Sequence, residues 1–224
     1  MIVNSLDKIR ADTFQWFPDW GLGYYPVKNP AAPYDNAYFD RFAAAGDTKI
    51  GQQLNTFRVG LVRDFVGDGP VLDIGIGAGT FLELHGNCWG FDVNPKGIRF
   101  LRNRNRFVNP MEENIDAFRA ITLFDSFEHI AEPWLLLDRI KYQTVFMSLP
   151  IFHGLSHVQS SKHFRPDEHF WHFTENGLTL FMQHHGFANV GRYDQETQFG
   201  REDILTFVFM RHEHAEQPYF SSGA

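Results

Sequence analysis

The stretch Val71-Leu72-Asp73-Ile74-Gly75-Ile76-Gly77-Ala78-Gly79-Thr80 constrains this chain more than any other. A short apolar run of strand-forming residues meets three alternating glycines, and a helix is expected from about Thr80. A buried strand that turns sharply into a helix needs glycine there, and bare backbone also lets a bound ligand approach closely. The spacing is Gly-x-Gly-x-Gly behind an Asp. It is not the Gly-x-Gly-x-x-Gly of dinucleotide binders, because Thr80 stands three after Gly77, and no Gly-Lys-Ser/Thr ending makes a phosphate loop. Asp92 closes the next strand, Trp89 to Val93, 17 residues after Gly75. A carboxylate placed so can accept both hydrogen bonds of a ribose diol.

The rest of the chain fits an alternation of helix and strand. Ile50, Leu54, Phe57, Leu61, Val62 and Phe65 recur at three- and four-residue steps, which predicts an amphipathic helix from Thr48 to Phe65. Further helices are expected at Pro95 to Asn105, Pro133 to Lys141 and Thr174 to His185. Strands are expected near Phe107 to Val108, at Ala120 to Asp125 and at Thr144 to Leu149. Two final strands, Ala188 to Glu196 and Ile204 to Met210, are joined by a turn near Gly200 with no helix between them, so they should pair antiparallel. Alternation of this kind argues for a mostly parallel sheet with helices on both faces. Three segments follow: an aromatic, proline-rich lid over residues 1–48, a domain over 49–211 and a flexible tail over 212–224. In the first, Trp16, Phe17, Trp20, Tyr24, Tyr25, Tyr34, Tyr38 and Phe39 are interleaved with Pro18, Pro26, Pro30 and Pro33, with a short helix near Asn36 to Ala45.

Composition narrows the function classes. Among 224 residues, 24 are Phe, which suits either an aromatic-lined pocket or a core that uses Phe for Leu. The net charge of -7 lacks the basic footprint of a protein that coats phosphate backbones, so nucleic acid is not the expected partner. Arg99, Arg102, Arg104 and Arg106 form one local cluster, read as the exposed face and end of a helix. The single Cys88 excludes an internal disulfide and suits a reducing compartment. Neither a run of about 18 apolar residues nor a signal pattern is present, and a cytoplasmic protein is expected.

With these residues in view, the chain resembles the class I S-adenosylmethionine methyltransferases over roughly Phe57 to Met210. Asp73 to Gly79 is similar to their first motif and Gly90-Phe91-Asp92 to their second. Leu123-Phe124-Asp125-Ser126-Phe127-Glu128-His129-Ile130 is similar to the segment after the fourth strand in the small-molecule branch, which includes the enzymes that methylate ubiquinone and menaquinone precursors. Ser148-Leu149-Pro150 resembles their fifth-strand ending. His172-Phe173-Thr174 with His185-Gly186-Phe187 is similar to a late signature of theirs, at compressed spacing. The resemblance implies an α/β Rossmann-like three-layer sandwich with a mostly parallel seven-stranded sheet whose last strand is antiparallel. It implies S-adenosylmethionine as cofactor, held by Asp73, Gly75, Gly77, Gly79 and Asp92, with Asp116 the acidic candidate beside adenine in the segment Asn114 to Phe118.

Methyl transfer from a sulfonium depends chiefly on placement, with a base added where the nucleophile must lose a proton. Asp125 and His129 are the candidate catalytic residues, His129 either as a base toward a hydroxyl or as a support for its loop. The segment lacks the Asn/Asp-Pro-Pro-aromatic motif of amino-methylating enzymes and a Pro-Cys nucleophile. The expected reaction is methylation of oxygen or carbon on a small-molecule acceptor. Methylation of a nucleotide or nucleic acid and a non-catalytic cofactor-binding module are the alternatives. His153, His157, His163, His169 and His172, with Asp167 and Glu168, lie in one connection. Their spacing is irregular, so a substrate loop is preferred to a metal site, and no metal is expected. This loop and the aromatic N-terminal segment are expected to roof the site. Arg165 within it either pairs with an acidic group of the substrate or is solvated.

Overall fold

Short apolar runs form the strands of the main sheet, and period-two alternation sends their side chains into two separate cores. The computed structural model describes residues 14–26 and 36–215. Its strands are β1 (Gln15–Phe17), β2 (Leu22–Tyr24), β3 (Val71–Ile74), β4 (Cys88–Phe91) and β5 (Ala120–Phe124). They continue with β6 (Thr144–Pro150), β7 (Trp171–Phe173), β8 (Phe187–Tyr193) and β9 (Ile204–Arg211). The main sheet has the order β4-β3-β5-β6-β9-β8. β4, β3, β5 and β6 run parallel, and β9 is antiparallel to both its neighbours. β3, β5 and β6 are buried along their whole length, as central parallel strands covered on both faces must be.

The helices are α1 (Asn36–Gly46), α2 (Lys49–Val66), α3 (Thr80–His85), α4 (Pro95–Arg102) and α5 (Pro133–Leu137). They continue with α6 (Leu155–Ser160), α7 (Glu175–His184), α8 (Gln195–Gln198) and α9 (His212–Ala215). Val71, Ala120, Phe146 and Val208 face α2 and α3 on one side of the sheet. Leu72, Ile121, Val145 and Phe207 face α5 and α7 on the other. Phe127, Phe146, Phe152, Phe173, Phe181, Phe187, Phe207 and Phe209 are fully buried, so much of the phenylalanine excess is core. α2 starts where Thr48 Oγ1 accepts from the Gly51 N–H at 3.0 Å and stops at Gly67.

The structure differs from the sequence reading at three places. The sheet has six strands, not seven. Phe107 makes only one parallel bridge, with Gly90, because Asn105 turns at φ 55 just before it and Pro110 follows. Between β8 and β9 stands the single turn of α8, where no helix was expected. The N-terminal aromatics build a second sheet, β1-β2-β7, all antiparallel, so Leu22–Tyr24 pair with Trp171–Phe173 across the chain. Pro30, Pro33, Tyr34 and most of the expected tail lie outside the described residues. No helix among the described residues is long and apolar enough to cross a membrane.

The small sheet docks through a contact that only glycine permits. Thr174 N–H donates to the Gly21 carbonyl at 2.8 Å, and Thr174 Oγ1 caps α7 at Gly177 N at 2.9 Å. A β-carbon on Gly177 would stand 2.1 Å from the Gly21 oxygen. Gly177→Ala is therefore expected to cost about 1–3 kcal/mol through overpacking, read as a lower urea midpoint. An unchanged midpoint would mean that the hairpin is not seated on α7.

Candidate active site

A cavity of about 650 Å³ opens over the carboxyl ends of β3, β4 and β5, the place where open α/β sheets bind ligands. The volume falls within the roughly 300–1,000 Å³ of small-molecule sites. The glycine turn supplies Asp73 to Ala78, and the end of β4 supplies Phe91, Asp92 and Val93, with Pro110 and Met111 beside them. The segment after β5 adds Asp125, Ser126, His129 and Ile130. α1, α2 and their junction contribute Phe42, Gly46, Thr48, Ile50, Leu54 and Arg58.

The three glycines act differently. Gly77, at φ 55, presents bare backbone to the cavity, and a β-carbon there would meet Phe42 at 3.5 Å across it. At Gly75 a β-carbon would strike Ser126 at 2.5 Å. That closeness lets Ser126 Oγ donate to the Ile74 carbonyl at 2.6 Å, tying the segment after β5 to the turn. Gly79 does not line the cavity; it opens α3, and its Cα packs against the Phe100 ring.

Two carboxylates flank this backbone. Asp92 accepts from Asn94 N–H at 2.7 Å, and the nearby backbone N–H groups of Gly77, Val93 and Ile76 favour its charged form. Burial nevertheless raises its pKa above the usual carboxylate value. Asp73 is 3% exposed and accepts from Thr122 Oγ1 at 2.7 Å. Burial outweighs that hydrogen bond and the attraction of Arg58, and lifts its carboxyl to about 7.

Asp125 is a different kind of acid. It adopts φ 57, a conformation costly for a residue with a β-carbon. Arg201 Nη2 reaches its Oδ1 at 2.8 Å and Arg58 Nη2 reaches its Oδ2 at 2.8 Å. Burial alone would raise its pKa, but Arg201 and Arg58 overcome that and hold the carboxyl well below the usual range. Glu196 completes the group: it is fully buried, bound by Arg58 Nε at 2.8 Å and by Arg201, and accepts from Ser148 Oγ at 2.7 Å. Asp125 is thus an ionised anchor on the cavity wall.

The sequence profile of a family described as "Methyltransferase domain" matches residues 41–191, which contain the glycine turn, Asp92 and Asp125. The chain belongs to this methyltransferase family. No curated protein matches it in sequence. Its fold is similar to that of an S-adenosylmethionine-dependent methyltransferase from Archaeoglobus fulgidus, with TM-score 0.57 and 16% identity over 78% of this chain and 100% of that one. It is also similar to magnesium protoporphyrin IX methyltransferase from Synechocystis PCC 6803, with TM-score 0.59 and 14% identity over 80% of this chain and 95% of that one. A third similar fold is that of 1,6-didemethyltoxoflavin-N1-methyltransferase from Burkholderia thailandensis, with TM-score 0.54 and 17% identity over 78% of this chain and 84% of that one.

Within the methyltransferase domain, Asp73, Gly75, Gly77, Asp92, Asp125 and His129 all meet at the one cavity. Asp116 does not join them. It lies on the surface with Lys141 at 2.7 Å, and the loop reaches the cavity through Pro110 and Met111 in place of residues 114–118. Neither residues 14–26 nor the connection from His153 to His172 lines the cavity; Phe42, Ala45, Gly46 and Thr48 are the only residues before α2 that do so among those described. Arg165 pairs with Glu168 at 2.6 Å. In the arginine cluster, Arg104 pairs with Glu83 at 2.7 Å and lies over the Phe100 ring, and Arg102 lies over Phe107.

His129 closes one side of the cavity with a defined tautomer. Its Nδ1 lies 3.0 Å from the Glu168 carbonyl, which can only accept, so Nδ1 carries the proton and Nε2 the lone pair. Burial lowers its pKa to about 4, and the ring is uncharged at neutral pH. Beside it, burial and the charge of Asp125 raise Glu128 to about 8. Sequence reasoning missed Arg58, Arg201 and Glu196. Arg58 had a visible signal, since it stands four residues after Leu54 and four before Val62, inside the apolar stripe of α2.

The arginine–carboxylate group gives a stability prediction. Arg58→Ala leaves Glu196 buried with one cation fewer, and breaking a buried pair in this way costs about 3–5 kcal/mol. Urea unfolding measures it, and a loss below about 1 kcal/mol would contradict the burial described.

Proposed function

We propose that this methyltransferase takes its methyl group from S-adenosylmethionine and transfers it to oxygen or carbon of a small, largely apolar acceptor in the same cavity. One observation carries the reading: bare backbone at Gly77 faces the cavity beside the carboxylate that ends the neighbouring strand, Asp92. Backbone that can be approached closely, next to a carboxylate able to take a ribose diol, suits the nucleoside half of that cofactor. The Synechocystis and Burkholderia enzymes were crystallised with S-adenosylhomocysteine, the demethylated product, which supports the assignment. S-adenosylmethionine supplies a sulfonium methyl group; the S–CH₃ bond breaks as the acceptor's bond to carbon forms, and the electron pair stays on sulfur.

The chain's own groups then take separate parts. Asp92 tethers the ribose, and the Gly75–Gly77 backbone carries the nucleoside. Asp73, a carboxyl poised near neutrality in a buried setting, faces the cationic methionine end. Asp125 stays ionised between its arginines and fixes the wall, and His129 Nε2 receives the proton of a hydroxyl acceptor. Phe42, Ile50, Val93 and Met111 are large apolar side chains left exposed while lining the cavity, which suits an apolar acceptor entering between them.

Calorimetric titration tests the reading. Wild-type protein is expected to bind S-adenosylhomocysteine, Asp92→Ala to weaken binding by roughly 10–100-fold through loss of hydrogen bonds to a charged group, and Gly77→Val to abolish it. Unchanged affinity in both variants would overturn the site. The pH dependence has a definite sign. A cationic methionine end prefers ionised Asp73, whose protonated fraction falls as pH rises through about 7. Affinity for S-adenosylmethionine should therefore rise roughly tenfold from pH 6 to pH 8, and Asp73→Asn should remove that rise.

A further inference from the structure

We propose that Glu128, His129 and His169 form a binding site for a divalent transition-metal ion of the zinc class. One ligand atom from each residue lies within 4.8 Å of the other two. That is close enough for bonds of about 2.0–2.2 Å to a shared ion after small side-chain shifts. Two imidazoles and a carboxylate are a donor set that such ions accept.

Three features separate this cluster from a chance meeting of polar groups. The first is an unmet need: Glu128 is 3% exposed, and its buried Oε2 has no hydrogen-bond partner among the described residues. The native exceptions to hydrogen-bond pairing call for a specific cause, and an ion is one. The second is orientation of the His129 ring. His129 Nδ1–H donates to the Glu168 carbonyl at 3.0 Å. Metal-binding histidines are fixed in this way, one nitrogen donating to a carbonyl and the other carrying the lone pair. The third is rigidity. The turn carrying Glu128 and His129 is tied to the His169 segment by Phe170 N–H to the Glu128 carbonyl at 2.9 Å and by Trp171 Nε1–H to the Ile130 carbonyl at 2.9 Å.

The fold selects these residues from a larger set. Of the five histidines in the His153–His172 connection, only His169 joins Glu128 and His129; the His172 ring lies behind it at 6.0 Å. The inference goes beyond the methyl-transfer reading and replaces one part of it: with the ion on His129 Nε2, that nitrogen no longer takes the acceptor's proton. Glu128→Gln separates the two roles, because it removes a ligand and leaves the imidazole.

The test is a titration of chelator-stripped, full-length protein with Co²⁺, followed by the visible absorption of the bound ion and by displacement with Zn²⁺. The expected result is one equivalent bound, at least tenfold weaker in Glu128→Gln and in His169→Ala, and unchanged in the His153→Ala/His157→Ala double variant. S-adenosylhomocysteine binding, read separately on the same samples, confirms that each variant is folded and keeps failure of this site distinct from failure of the cofactor site. Wild-type protein that binds no stoichiometric Co²⁺ would overturn the proposal whatever the variants do. So would absorption that persists in Glu128→Gln, or that disappears with His153 and His157.

Discussion

Where β3 ends, the chain has to leave the sheet without letting side chains fill the crevice, and polar links between three strand ends hold that arrangement. At the end of β4, the Phe91 carbonyl accepts from the Gly75 N–H at 2.8 Å. Thr122 of β5 donates to Asp73, and Ser126, just past β5, donates to the Ile74 carbonyl. Hydrogen bonds of this kind contribute about 0.5–1.5 kcal/mol each, more when one partner is charged. Together they fix a turn whose own sequence has no bulk to collapse into the gap. The cavity follows from that geometry, and the apolar side chains of α1 and α2 shape it.

The buried and half-buried acids around this crevice behave differently because their surroundings differ. Asp73 has one hydroxyl partner and only distant cationic help, so its carboxyl is held near neutrality. Asp125 and Glu196 share Arg58 and Arg201, which supply charge enough to keep Asp125 ionised in a strained backbone conformation. Burial, with the like charge of Asp125 added, pushes the Glu128 carboxyl up to about 8, and one of its oxygens has no hydrogen-bond partner among the described residues. Environment therefore divides carboxyl groups into one poised near neutrality, one held ionised and one held protonated. Arg58 ties α2, whose amino-terminal half lines the cavity, to Asp125 and Glu196.

The main sheet and half of the site were legible because their signals are local. β3 with its glycine turn, the strand ending at Asp92 and the helix begun by Thr48 each announce themselves within ten or so residues. The small sheet was not legible, since Leu22–Tyr24 pair with Trp171–Phe173 at a separation no periodicity records. The same holds for Arg58 with Glu196 and Arg201 with Asp125. Asp116 came from the family resemblance, which calls for an acid beside adenine but does not say which way this loop folds; Pro110 and Met111 face the cavity in its stead. The seventh strand had the right residues but too little room between Asn105 and Pro110.

The central claim is that a nucleoside lies against the bare backbone between β3 and β4 with its sugar held by Asp92. A crystal structure of the protein grown with S-adenosylhomocysteine tests it directly. The account predicts both ribose hydroxyls within hydrogen-bond distance of the Asp92 carboxylate, the chain of the ligand passing over Gly75 to Gly77, and the sulfur on the side of Asp125 and His129. Density for the ligand anywhere else, or a cavity filled by the side chains of α1 and α2 with no ligand bound, would contradict it.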